Sequence, residues 1–147
     1  MAFEEIYREI VLEHSRKPRN KGLLEDATVK QKGVNASCGD EIELQLLIKG
    51  DVIRQARFTG VGCAISQASV SLMTLALEGR KVSEALALAH DFSAMIHGEA
   101  PKETLGDLAA FQGVSKLHAR VKCATLPWQT LEVALKRSGE EVAAALE

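Results

Sequence analysis

The chain has 147 residues, of which 46% are hydrophobic and 26% charged, with a formal net charge of −2 and three cysteines. This length fits one domain, residues 1–147, able to bury roughly 70% of its unfolded surface without staples. Balanced charge argues against a nucleic-acid binder, the apolar fraction against disorder, and the lack of a ~20-residue apolar run against a membrane span.

In chain order, Phe3, Ile6, Tyr7, Ile10 and Val11 recur at helical spacing, and Pro18 ends that helix. The acidic start Met1-Ala2-Phe3-Glu4-Glu5 is unlike a signal peptide and predicts a cytoplasmic protein with reduced thiols. The basic turn from Arg16 to Gly22 reads as a solvated loop or as a contact patch for an acidic partner. From Glu41 to Lys49 the period is two, with Ile42, Leu44, Leu46 and Ile48 facing a core and Glu41, Glu43, Gln45 and Lys49 facing water. Lys49-Gly50-Asp51 turns the chain into a return strand from Val52 to Thr59, and Thr28 to Val34 adds a third strand.

Past Gly60-Val61-Gly62-Cys63 the pattern becomes helical. A small, apolar helix runs from Ser66 to Leu77 and stops at Gly79. Ser83 caps a helix through Ala89, a short helix covers Asp91 to His97, and Leu105 to Leu117 is mixed helix and loop. Thr125-Leu126-Pro127 opens the final helix, with Trp128, Leu131, Leu135, Val142 and Leu146 as its buried stripe and Ser138-Gly139 as an interruption. Strands first and helices later describe an α+β domain.

The three cysteines contain no Cys-x-x-Cys pair, which speaks against a zinc knuckle or a thioredoxin-type dithiol. Each stands at an element boundary, Cys38 and Cys63 in glycine-containing turns and Cys123 ahead of the last helix. A helix N-terminus favours thiolate over thiol at Cys63 and Cys123. Asp40, two residues after Cys38, lets one turn offer a soft sulfur and a hard oxygen together. Three thiolates and a carboxylate suit tetrahedral zinc, and thiolate-rich sites suit iron–sulfur chemistry as well. Such a set is anionic around a divalent ion, and Arg120 and Lys122 are either its compensating cations or ordinary solvated residues. His118 rivals Asp40 as fourth ligand, whereas His14, His90 and His97 read as surface or partly buried residues. Three unrelated cysteines in a stable domain remain the bland alternative.

The blocks around these residues resemble the SufU family, a branch of the IscU-like proteins that also includes the N-terminal domain of NifU. They are Tyr7, Lys17-Pro18-Arg19-Asn20-Lys21-Gly22, Ser37-Cys38-Gly39-Asp40, the run from Phe58 to Ser69, and Arg120-Val121-Lys122-Cys123-Ala124-Thr125-Leu126-Pro127-Trp128. The resemblance implies a three-stranded antiparallel sheet packed against several helices, with Cys38, Asp40, Cys63 and Cys123 meeting as zinc ligands. It implies sulfur transfer from a SufS-type cysteine desulfurase onto Cys38, toward the downstream cluster-assembly machinery. Arg120 would hold the Cys38 thiolate, and a histidine of the desulfurase would replace Cys38 on zinc. Lys122 stands where IscU proteins carry histidine, Gly98 to Leu117 holds a SufU-type insertion, and the Leu-Pro-Pro-Val-Lys motif of IscU scaffolds is missing. These departures favour transfer over an IscU-like scaffold holding a [2Fe–2S] cluster or iron on the same cysteines; the exposed turns around Cys38 and a length of 147 residues that needs no metal staple speak against a purely structural zinc.

Overall fold

The computed structural model describes the backbone of residues 3–146 and the side chains of residues 9–137. Its elements in chain order are α1 (Phe3–Arg16), β1 (Val29–Asn35), β2 (Asp40–Lys49), β3 (Val52–Val61), α2 (Ala64–Leu77), α3 (Val82–Ile96), a 3-10 segment (Glu103–Lys116) and α4 (His118–Leu146). The expected α+β fold is therefore present, with an antiparallel sheet of order β1-β2-β3. None of the described helices is long and apolar enough to cross a membrane.

Strand alternation decides how the sheet is used. Leu44 sits opposite Gln31 and Phe58, and Leu46 opposite Val29 and Ala56, so these rows share one face. That face is covered by α2 and α4. It joins Met73, Leu77, Phe92, Phe111, Trp128 and Leu131 in a single core. Phe92 stacks on Trp128 at 4.8 Å between centroids, which ties α3 to α4. The predicted stripe of the last helix holds at Trp128, Leu131 and Leu135; the side chains of Val142 and Leu146, like those of Phe3, Ile6 and Tyr7, lie outside the described residues.

The other face of the sheet is drier than the alternation predicts. Gln45, expected in water, has no solvent exposure, and Leu47 beside it is buried. The cause is the strap between α1 and β1. It starts at the outer edge of β3, where the Phe58 N–H donates to Asn20 and the Gly22 N–H to Phe58. It then crosses to β2, where the Leu24 N–H donates to Gln45 Oε1 at 2.8 Å and the Thr28 N–H to the Leu46 carbonyl. A buried amide keeps its place because it has found a partner.

Three helical expectations change. Val82–Ile96 is one helix, not two, and Lys81 precedes it with the Glu84 carboxylate accepting the Lys81 N–H at 3.0 Å; Ser83 is inside it. Leu105 to Leu117 falls in a 3-10 segment kinked at Gly106. The final helix starts at His118, well before Thr125, so Pro127 lies within it and the backbone continues through Ser138-Gly139. Packing of Leu126, Trp128 and Leu131 outweighs the local proline preference.

His14 is buried rather than on the surface, and its Nδ1 lies 2.7 Å from Ser71 Oγ, which also accepts the Arg19 N–H at 2.8 Å. Burial, reinforced by the nearby Arg19 charge, pushes the His14 pKa below its ordinary 6.5. The unfolded chain therefore takes up this proton at a higher pH than the folded one. His14 adds stability that is complete above pH 6.5 and is lost as pH falls through its lowered folded value. Urea midpoints measured from pH 7.5 downward should show this loss in the natural chain and a flatter profile in His14→Gln.

Candidate metal centre

At the end of the inward sheet face, the last residue of β1 and the first of β2, Asn35 and Asp40, stand opposite each other. The tight turn between them carries Cys38 and needs Gly39, whose φ is +71°. The Cys38 N–H donates to the Asn35 carbonyl at 3.3 Å, which closes the turn. Cys38 is half-buried, and its thiol reaches the Ala119 carbonyl in the first turn of α4 at 3.8 Å.

Asp40 is fully buried. Its Oδ1 accepts the Cys63 N–H at 2.9 Å and lies 3.1 Å from Ser66 Oγ, both in the opening turn of α2. Its Oδ2 accepts from Asn35 Nδ2 at 3.3 Å. Burial raises the carboxyl pKa, but donors from Cys63, Cys123, Ser66 and Asn35 outweigh it, and the net effect is a lowered value. A Cβ on Gly62 would stand 2.7 Å from Asp40 Oδ1 and collide with Ser66 Oγ, so glycine is what lets the carboxylate reach the helix end.

Cys123 differs from expectation. It lies in the second turn of α4, fully buried, instead of ahead of a helix. Burial pushes its thiol far up, and contacts with Cys38, Asp40 and Cys63 add to the rise. The metal-free centre thus holds Cys123 as a thiol, against the thiolate expected from a helix N-terminus.

The ligand atoms of Cys38, Asp40 and Cys123 all lie within 4.8 Å of one another. Cys63 is placed at the N-cap of α2, its N–H on Asp40 and its side chain against Cys123, but it is not in that mutually close trio. Arg120 is exposed at the mouth; contact with Cys123 and the charges of Cys63, Cys123 and Cys38 raise its pKa. His118 and Lys122 are exposed on α4, and His118 is absent from the trio. The basic turn is partly committed internally, with Arg19 paired to Glu13 at 2.6 Å and Lys21 Nζ 3.5 Å from Gln67 Oε1.

Two buried residues escaped the sequence reading, Asn35 and Ser66. Only the hairpin register points to Asn35, and only the N-cap of α2 at Cys63, three residues earlier, points to Ser66. Clustered sulfur donors with one carboxylate fit zinc or an iron–sulfur unit far better than magnesium or calcium.

The family described as the NifU-like N terminal domain matches residues 6–124. The chain is 45% identical over 129 residues to the zinc-dependent sulfurtransferase SufU of Bacillus subtilis, covering 86% of this chain and 87% of that one. It is 41% identical to the iron–sulfur cluster assembly scaffold protein IscU of Thermotoga maritima, covering 93% and 97%. A solved structure of an iron–sulfur cluster assembly scaffold protein for the SUF system, from Fervidobacterium islandicum, superposes with a TM-score of 0.81 at 40% identity, covering 89% and 97%.

A metal held through Cys123 would displace its proton. Calorimetric titration of metal-free protein with Zn²⁺ in buffers of different ionisation enthalpy should show net proton release at pH 7, reduced in Cys123→Ser. Gly62→Ala should destabilise the fold by about 1–3 kcal/mol in thermal melts, since the new methyl group has no room beside Asp40.

Proposed function

Since the chain belongs to the NifU-like N-terminal domain family, we propose that it serves iron–sulfur cluster assembly as a zinc-dependent sulfurtransferase. It takes sulfur from the persulfide of a SufS-type cysteine desulfurase onto Cys38 and hands it on toward cluster assembly, in a reducing, cytoplasmic setting. The observation that carries this reading is the unequal exposure of the donors. Cys38 is half-exposed on a surface turn, and Cys63 at the start of α2 is half-exposed too, whereas Asp40 and Cys123 are buried behind them.

Cys38, Asp40, Cys63 and Cys123 would hold Zn²⁺, which when bound supplies Lewis acidity that keeps thiols deprotonated without redox chemistry. The rest is done by side chains. The Cys38 thiolate attacks the outer sulfur of the donor persulfide; that S–S bond breaks as a new one forms on Cys38, and the donor cysteine leaves as thiolate. The moving sulfur keeps its oxidation state, so no external oxidant or reductant takes part. Arg120 at the mouth stabilises the anionic sulfur before and after transfer. Burial of Cys123 keeps that thiol from competing for the donor.

The second reading, a scaffold for a nascent [2Fe–2S] cluster, is supported by the likeness to the Thermotoga maritima scaffold protein and by the thiolate-rich donor set. Anaerobic purification followed by metal analysis and incubation with a cysteine desulfurase and cysteine separates the two. A colourless zinc protein that raises desulfurase turnover and carries persulfide supports transfer; a coloured cluster on the same cysteines supports the scaffold.

In that assay Cys38→Ala should stay folded and lose all stimulation, and full stimulation would sink the acceptor assignment. Arg120→Ala should slow transfer without abolishing it. Asp40→Ala should lower zinc affinity, and unchanged zinc content and affinity would remove Asp40 from the ligand set.

A further inference from the structure

Asn35 touches every member of the close trio. Its Nδ2 lies 3.3 Å from Asp40 Oδ2 and 3.7 Å from Cys123 Sγ, and its own carbonyl accepts the Cys38 N–H at 3.3 Å. The residue is buried, ends β1 and faces Asp40 across the hairpin. An amide nitrogen carries two hydrogens, one for the carboxylate and one for the sulfur. Ser66, another buried side chain on Asp40, approaches Oδ1.

We propose that Asn35 is the positioning residue of the metal centre, which aims the Asp40 carboxylate and the Cys123 sulfur at one point and fixes the turn that brings Cys38 to them. This rests on the reading that these residues hold a metal. The chemical reason is charge as well as geometry. Thiolates and a carboxylate around one divalent ion leave the centre anionic, and a neutral donor shared by sulfur and oxygen relieves that charge without competing as a ligand. Backbone and side chain act separately here. Replacing the side chain removes the donor but leaves the carbonyl that closes the Cys38 turn.

Asn35→Asp keeps the shape and swaps the two hydrogens for an acceptor; Asn35→Ala removes the group. Metal-free full-length chains, checked for fold by circular dichroism, are titrated with Zn²⁺ against a chromophoric chelator and with Co²⁺ for the thiolate-to-metal absorption. Zinc affinity should fall about 10–100-fold in both variants, and the Co²⁺ band should shift or weaken, a change that a packing role would not cause in the isosteric variant. Asn35→Ser, which keeps one donor, should lose less, and it carries the comparison if Asn35→Asp unfolds without metal. Natural affinity and an unchanged Co²⁺ spectrum in Asn35→Ala and Asn35→Ser would overturn the role of Asn35 and leave the metal site standing. Failure of the natural chain to take Zn²⁺ from the chelator would overturn the metal reading itself.

Discussion

A carboxylate with no access to water is the constraint around which this molecule is arranged. Burying Asp40 is unfavourable unless donors replace its hydration. The start of α2 supplies them, through the Cys63 N–H and Ser66. The free N–H groups and dipole of a helix end make that the natural place for an anion. The β2 strand must then begin directly beneath α2, β3 must deliver the chain to that helix through a residue without a side chain, and α4 must close the other side with Cys123. The three elements meet because one buried anion needs all of them. The same contacts explain how a cluster of acidic groups remains compact before any metal arrives. Cys123, held as a thiol by burial, contributes its proton to those contacts rather than a further negative charge.

Burial divides the sulfurs into different roles. Cys123 sits within α4, whose neighbouring residues Ala124, Leu126 and Trp128 are locked in the core. Its position is therefore set by the whole packing of the domain. Cys38 hangs on a short turn, its thiol 3.8 Å from the Ala119 carbonyl of α4 and close to Cys123. Cys123 is an anchor, and Cys38 can be approached from outside. A group-transfer protein needs this combination, because the acceptor has to move from a sheltered state to an attacking one without disturbing the fold.

The sheet was legible in the sequence because its signals are local. Alternation from Ile42 to Ile48 and the Lys49-Gly50-Asp51 turn place β2 and β3 within a residue or two of their observed bounds. The cysteines and Asp40 were legible through their flanking motifs. What escaped was set by distant contacts. Gln45 reads as a water-facing residue until the strap at Leu24 is placed over it. Thr125 reads as a cap until α4 is seen to begin at His118, and its hydroxyl in fact bonds back to the Val121 carbonyl at 3.0 Å. That error placed Cys123 at a helix start instead of in a helix interior and reversed its expected ionisation. Asn35 carries no motif of its own, since its importance comes only from the strand register that sets it against Asp40.

The strap has one further consequence, for how the molecule behaves in a crowd of other chains. A three-stranded sheet has two borders, each a row of backbone groups that can template pairing with a foreign strand. Asn20 and Gly22 occupy the border of β3 at Phe58, and the Ile53 N–H and carbonyl are taken by Arg80 and Gly79. On the β1 side, Arg137 reaches from α4 to the Lys30 carbonyl, and Lys30 and Lys32 stand exposed along the strand. The chain therefore seals its own borders while leaving the Cys38 turn open. Pairing with a foreign strand is hindered at those positions.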